Sequence, residues 1–232
     1  MSNNYPQSFD PQKPYVIVCE GDDDKIFLQE YLKFLDKKCH YINQNEFLIL
    51  CANGVDNIAK NTKNYKNYDY YDTIKSILFI RDADSDVERA LNSLTGNIKD
   101  VWNIKLNRYG DFETDNDKIK IGFFIFPGPD ESGNYRNGTL EDLCAEVLKL
   151  PDCVLTLVCE HIQKLNENGI DLKTPHKNRL HLCLDSTNDF IGAKIGESAK
   201  RKAFNFLSDK FTVLEQKIIG MKIENSDAVQ TK

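Results

Sequence analysis

The chain has 232 residues, of which 41% are hydrophobic, 28% charged and 10% aromatic, and this composition excludes a disordered or fibrous protein. Its 30 basic and 36 acidic side chains give a net charge of −6, which argues against a protein that coats nucleic acid by bulk electrostatics. No apolar run approaches the ~18 residues that span a bilayer. The N-terminus also lacks the pattern of a signal peptide. We therefore expect a cytoplasmic protein with no membrane partner, and the seven cysteines without a Cys-x-x-Cys motif fit a reducing compartment.

The first half of the chain alternates strand patterns with helix patterns. Residues 1–13 are polar and predict a flexible N-terminal arm. Apolar runs of strand length follow at 15–19, 47–51 and 76–80, and a helical pattern comes after each of them. Runs that are apolar on both faces are typical of buried parallel strands. The sequence therefore predicts an α/β core over residues 14–138, a Rossmann-like parallel sheet flanked by helices.

The second half changes character. Residues 108–118 are polar and predict a loop or hairpin arm, and residues 119–126 predict a further strand. Thr139 is a good N-cap with Asp142 as its capping-box partner, and it opens a helical C-terminal part that we expect to pack on the core over 139–225. The predicted helices of this part cover 140–149, 152–167, 177–184, 197–208 and 211–219. Residues 226–232 predict a polar tail.

Acidic residues follow two of the apolar strands. Glu20 comes after the first strand, and Asp82 and Asp84 come after the third. The functional crevice of a parallel α/β sheet lies beyond the carboxyl ends of its strands. Carboxylates that meet there repel one another unless a cation neutralises them, and an all-oxygen ligand set favours a hard ion, Mg²⁺ or Mn²⁺. The spacing of Asp82 and Asp84 predicts that both side chains point to the same side of an extended segment.

Each of these features has a simpler structural interpretation. Glu20-Gly21 alone is a strand end followed by a turn. Asp84 or Ser85 alone is a cap for a short helix over 86–94. The acids at 22–24 alone are charges that favour the first turn of a helix. The combination, in this order and each time after an apolar strand, is what points to a site.

That combination resembles the Toprim domain. The resemblance rests on residues 18–24 (VCEGDDD), where the family reads roughly V-E-G-x-x-D, and on residues 79–84 (FIRDAD), where it reads hydrophobic-x-D-x-D. Toprim domains occur in topoisomerases, primases and OLD-type nucleases. The resemblance covers roughly residues 14–130 and implies Mg²⁺-dependent phosphodiester chemistry. It also implies that Glu20 is a metal ligand or a general acid/base, and that Asp82 and Asp84 hold the metal.

A narrower resemblance reaches the C-terminal half. Residues 122–127, 138–143 and 195–196 are similar to those of small standalone Toprim-like proteins related to OLD-type nucleases. This resemblance implies that Glu141 is a further acid of the metal site, although a helix-capping role explains it equally well. It also implies that Lys177 faces a phosphate, although an exposed helix lysine is the simpler interpretation.

A local excess of basic residues lies near the C-terminus. Residues 194–210 contain five basic side chains against two acidic ones. Lys200, Arg201 and Lys202 from this run are candidate nucleic-acid-binding residues. A solvated helix face is the simpler interpretation.

The leading functional hypothesis is a Toprim-type nuclease that acts on DNA or RNA, in DNA repair or phage defence. No Walker A pattern is present, so an ATPase partner would be a separate protein. The first alternative is a non-catalytic module that binds metal, nucleic acid or a protein. The second is a receiver-like phospho-acceptor domain, which fits the Glu-Gly turn and the Asp-x-Asp spacing less well.

Overall fold

A five-stranded sheet forms the centre of the protein in the computed structural model, which describes residues 8–170, 172 and 175–223. The strands are β1 (Tyr15–Cys19), β2 (Phe47–Cys51), β3 (Ser76–Asp82), β4 (Glu113–Thr114) and β5 (Lys120–Phe126). Their order in the sheet is β2-β1-β3-β5-β4. All pairs are parallel except β4–β5, which forms an antiparallel edge. The prediction of an α/β fold with a mostly parallel sheet is confirmed, as is the hairpin arm before β5.

Helices flank the sheet and form most of the C-terminal part. They are α1 (Asp22–Lys38), α2 (Val55–Thr62), α3 (Val87–Trp102), α4 (Leu140–Glu146), α5 (Asp152–Glu167), α6 (Pro175–Asp185), α7 (Ile195–Lys200) and α8 (Thr212–Gly220). Within the described ranges, none of these helices has both the length and the apolar character that a membrane span requires.

The predicted helix over 197–208 is wrong in extent, because α7 ends at Lys200. Lys202 has a left-handed backbone with φ of 65°, which a continuing helix does not allow. The chain then turns into an isolated antiparallel bridge between Phe204 and Leu148. Long-range pairing therefore stops a segment whose composition alone favours a helix.

The helix caps agree with the sequence at one place and differ at another. Thr139 and Asp142 form the predicted capping box at the start of α4. The cap of α3, however, is Asp86, whose carboxylate accepts a hydrogen bond from the backbone N–H of Arg89 at 2.9 Å. The predicted caps Asp84 and Ser85 lie before it, and the helix continues to Trp102 rather than ending at residue 94.

One continuous hydrophobic core joins the sheet to the C-terminal part. Phe27 of α1 contacts the rings of Phe204 and Phe211. At the other end of the chain, Phe9 is 2% exposed and packs on the Tyr65 ring, so this part of the predicted arm is not loose. The remainder of the arm, residues 1–7, and the predicted polar tail lie outside the described residues.

A close helix contact fixes α7 against α1. A Cβ atom added at Gly196 would lie 2.6 Å from the Cβ of Ile26, a distance that real side chains do not reach. We expect Gly196→Ala to lower the free energy of unfolding by about 1 kcal/mol, because this overpacking outweighs the better helix propensity of alanine. Chemical denaturation measures this change.

Gly96→Ala in α3 is the matched control for this contact. Beyond its own helix backbone and chain neighbours, no atom of the described residues lies within 4 Å of the added Cβ there, so helix propensity acts alone. We expect this variant to be more stable than the wild type by roughly 0.5–1 kcal/mol. Equal stabilisation by both substitutions would contradict a tight α1–α7 contact.

Candidate functional site

The sheet order brings the acidic strand ends together. β1 and β3 are neighbours, and Val18 pairs with Phe79, so Glu20 and Asp82 leave the sheet at the same edge. The N-terminus of α4 lies beside this edge. Its first N–H, that of Leu140, donates a hydrogen bond to Asp82 Oδ1 at 2.9 Å. Residues that are far apart in the sequence therefore meet beyond the carboxyl ends of the strands, as predicted for this fold class.

Asp82 has the most strongly raised pKa of this group, although its residue is half-buried rather than buried. Burial raises the pKa of the Asp82 carboxyl well above its usual range, and nearby negative charges raise it further. Those charges belong to Asp24, Glu141 and Glu20. The hydrogen bond from Leu140 opposes the shift without cancelling it. We call Glu20, Asp24, Asp82 and Glu141 the carboxylate cluster.

Glu20 carries an unsatisfied oxygen. Its Oε2 is buried and has no hydrogen-bond partner among the described residues. Burial raises the pKa of Glu20, and the charge of Asp84 adds to the shift, whereas the guanidinium of Arg81 lowers it. Arg81 is 8% exposed, and nothing in its sequence context indicated this role. An unpaired buried carboxylate oxygen is costly, so Glu20 is a candidate for contact with a ligand.

Asp24 is the member of the cluster that the sequence interpretation missed. Its Oδ2 accepts a hydrogen bond from the Gly21 N–H at 2.9 Å, which completes the capping box of α1. Burial raises the pKa of Asp24 to about 6, and the charges of Glu20 and Glu141 contribute. The available signal was the last position of the V-E-G-x-x-D pattern, which Asp24 occupies. Helix capping and participation in the cluster are therefore both true of this residue.

Glu141 and Lys177 form an ion pair at the rim of the cluster. Glu141 is 7% exposed, and its Oε1 lies 3.5 Å from the ammonium of Lys177, whose side chain is 61% exposed. The charge of Glu141 raises the pKa of Lys177, and Asp82 and Asp24 add smaller contributions. Lys177 is thus placed at the acidic site, and the interpretation as an ordinary exposed helix lysine is incomplete.

Asp84 departs from its predicted geometry. Its backbone is left-handed with φ of 53°, and it pairs with Gly138 through hydrogen bonds of 2.9 and 2.8 Å. The chain therefore turns immediately after Asp82, and the expectation of an extended Asp-x-Asp segment with two aligned side chains is wrong. Asp84 is exposed, and its charge acts on Glu20 but is not among the main influences on Asp82. We place it at the outer edge of the site.

The three basic candidates near the C-terminus lie apart from the carboxylate cluster. Lys200 and Lys202 are exposed and line a groove beside α1. Arg201 is engaged within its own segment, because it pairs with Glu197 at 3.0 Å and donates to the Asp189 carbonyl at 2.9 Å. Of the four predicted nucleic-acid-binding residues, only Lys177 lies at the acidic site.

Residues 14–217 match the protein family described as "Protein of unknown function (DUF3226)". The chain belongs to this family. The matched range contains the whole carboxylate cluster together with Lys177, Lys200 and Lys202. Comparisons with curated proteins and with solved structures gave no match.

The donor set of the cluster fits a hard divalent cation by its chemistry. Its members offer carboxylate oxygens only, which suit Mg²⁺ or Mn²⁺. The side chains are not arranged as a ready-made site, because no three His, Cys, Asp or Glu groups among the described residues stand in a metal-binding arrangement. Mutual repulsion favours separated carboxylates, so side-chain rotation would have to accompany binding. Oε2 of Glu20, which lacks a hydrogen-bond partner among the described residues, is the oxygen best placed to bind a ligand.

Proposed function

We propose that this protein hydrolyses phosphodiester bonds of nucleic acid with the help of Mg²⁺ or Mn²⁺ held by the carboxylate cluster. The observation that carries the proposal is that Asp82 is desolvated within the negative field of Asp24, Glu141 and Glu20. Such a concentration of like charges is costly for folding alone, and strongly shifted carboxyl groups concentrate at functional sites. The resemblance to Toprim domains supports the same activity.

The proposal gives each member of the cluster a role. Asp82 and Glu20 would hold the cation, and Asp24 and Glu141 would add negative charge around it. Asp84 would add its charge from the exposed edge of the site. The chemistry that a divalent ion held by these carboxylates would supply is polarisation of the scissile phosphate and activation of water. Alternatively, a Glu20 that is not a direct ligand is suited to move a proton at Oε2, because its raised pKa brings it nearer to neutral pH.

Lys177 supplies a positive charge beside the cluster in this proposal. Its ammonium now neutralises Glu141, and it is exposed enough to turn toward a phosphate oxygen of the substrate. A phosphate contact at this point would position the phosphodiester bond next to Asp82. The separate ATPase partner and the repair or defence pathway implied by the resemblance belong to the same proposal.

A non-catalytic binding module is the second candidate, and one observation favours it. Arg81 lies close enough to Glu20 to lower its pKa, and Lys177 pairs with Glu141, so part of the negative charge is neutralised by the protein itself. A site of this kind would bind an anion or a partner without turnover. The receiver-like hypothesis is less favoured, because the receiver-type strand order is 2-1-3-4-5 and this sheet ends in an antiparallel β4.

The deciding experiment is a cleavage assay on labelled single-stranded DNA, duplex DNA and RNA, with Mg²⁺, with Mn²⁺ and with a chelator. We expect cleavage of at least one substrate that requires the divalent ion. Binding of nucleic acid without cleavage under all of these conditions would favour the non-catalytic module. Cleavage that persists in the chelator would contradict a role for the cation.

A further inference from the structure

A basic groove runs along the later turns of α1. It has a volume of about 250 Å³ and is bounded by α1 on one side and by the end of α7 and the chain after it on the other. The cationic side chains that line it are Lys33, Lys37, Lys149, Lys200 and Lys202. They come from three separate parts of the chain, so only the fold assembles them.

The charge of the groove is strongly one-sided. Glu30 is the only carboxylate among the described residues that line it, and it pairs with Lys33 at 2.6 Å. Lys200 and Lys202 are exposed at the opposite wall. This local excess stands against a net charge of −6 for the whole chain, so it is not a consequence of overall composition. The positive potential of these lysines favours a polyanionic partner.

The groove also has an apolar floor, which a purely electrostatic anion site does not need. The rings of Phe34 and Phe206 contact each other with centroids 5.7 Å apart, and Leu207 is 72% exposed. Aromatic and aliphatic surface beside lysines is the pattern on which unpaired bases stack while the backbone meets positive charge. Duplex nucleic acid hides its base faces, so the apolar floor favours a single strand.

The groove and the carboxylate cluster share α1 but lie on different sides of it. Asp24 and Lys33 stand nine residues apart, which corresponds to about 14 Å along the helix axis and about half a turn around it. The groove is therefore a surface separate from the cluster.

We infer that this groove binds single-stranded nucleic acid. This binding does not depend on the proposed nuclease activity. Lysines contact the phosphates, and the floor formed by Phe34, Phe206 and Leu207 accepts the bases.

The test measures binding without turnover. Fluorescence anisotropy with a labelled 12-nucleotide single strand, in a chelator, gives the affinity of the wild type and of Lys200→Gln/Lys202→Gln. We expect about a 10-fold weaker affinity for the double variant and a salt dependence reduced by about 1.4 in slope, because two phosphate contacts are lost. The control Lys99→Gln/Lys164→Gln removes two exposed lysines from α3 and α5, and we expect its affinity to stay within about twofold of the wild type.

The possible outcomes separate this inference from the proposed function. Equal affinity of the wild type and Lys200→Gln/Lys202→Gln, or tighter binding of a duplex than of the single strand, overturns the groove. If an acidic peptide of the same charge competes with the labelled strand as well as unlabelled single strand does, the inference is also overturned, because the bases then add nothing to binding. Groove-dependent binding in a protein that cleaves nothing supports the groove and rejects the nuclease activity. Cleavage by the wild type, together with unchanged binding by Lys200→Gln/Lys202→Gln, supports the nuclease activity and rejects the groove.

Discussion

Glu20→Gln and Asp82→Asn are each expected to reduce divalent-dependent cleavage by at least about 1,000-fold. Both substitutions preserve size and a hydrogen-bond acceptor, so Leu140 keeps a partner in Asp82→Asn. What they remove is a negative charge that would hold the cation or, in the alternative role of Glu20, the group that would move a proton. Losses of roughly 10²- to 10⁴-fold are usual when a general acid/base or an electrostatic stabiliser is removed.

Asp22→Asn is the matched control for these variants. Asp22 lies in the same first turn of α1 as Asp24 but is exposed and outside the carboxylate cluster. We expect its cleavage rate to remain within about twofold of the wild type. Initial rates across a Mg²⁺ titration, with circular dichroism to confirm folding, supply the comparison. Full activity of both Glu20→Gln and Asp82→Asn would remove these residues from the mechanism.

The stability of the metal-free protein is expected to fall as the pH rises from 4 to 7. Asp24 has a pKa of about 6 in the folded protein and an ordinary value of 3.8 in the unfolded chain. Between these values the folded state binds more protons than the unfolded state, so the free energy of unfolding decreases with pH. The effect of this residue is on the order of 3 kcal/mol and is complete above its folded pKa. Glu20 and Asp82 act in the same direction, because burial raises their pKa values too.

Urea denaturation of the wild type and of Asp24→Asn, at pH 4.5 and pH 7.5 in a chelator, measures this effect. We expect Asp24→Asn to be more stable than the wild type at pH 7.5 and to show a smaller difference between the two pH values, because Glu20 and Asp82 still titrate. Asp22→Asn should keep the pH dependence of the wild type, although it loses the same charge from the same helix turn. A pH dependence that is identical in the wild type and Asp24→Asn would contradict the electrostatic picture of the cluster.

A bound cation should relieve the same repulsion. At pH 7.5, Mg²⁺ or Mn²⁺ at about 100 times its dissociation constant is expected to stabilise the wild type by about 2.7 kcal/mol. Asp82→Asn should respond far less. This measurement needs no substrate, so it tests the metal site separately from cleavage.

Much of the site followed from the order of elements along the chain. The apolar runs that end at Cys19 and near Asp82 predicted buried strands, because continuous apolar runs are typical of sheets that are covered on both faces. Glu20 and Asp82 follow those runs directly, and parallel strands place their carboxyl ends at one edge. Their proximity was therefore accessible from the sequence. Apart from its place at the end of the V-E-G-x-x-D pattern, Asp24 was accessible only as a helix N-terminal charge, because an acid near a helix start has that role whether or not a site lies beside it.

The positions of Asp84, Arg81 and the groove lysines depended on the tertiary structure. Asp84 turns away from the extended path because its backbone pairs with Gly138, which lies 54 residues further along the chain. Arg81 comes to lie beside Glu20 only because β1 and β3 are adjacent.

The sequence by itself determined the alternating strand–helix order, the buried strands and the acids at their ends, because these depend on local hydrophobic periodicity. Only the tertiary structure decided which strands are neighbours, which carboxylates share one desolvated space and which lysines face one groove. Those features arise from contacts between distant segments, and no local pattern encodes them. The contact of Gly196 with Ile26 is an example. Position 196 needs a residue without a side chain because α1, which lies 170 residues earlier in the sequence, packs against it.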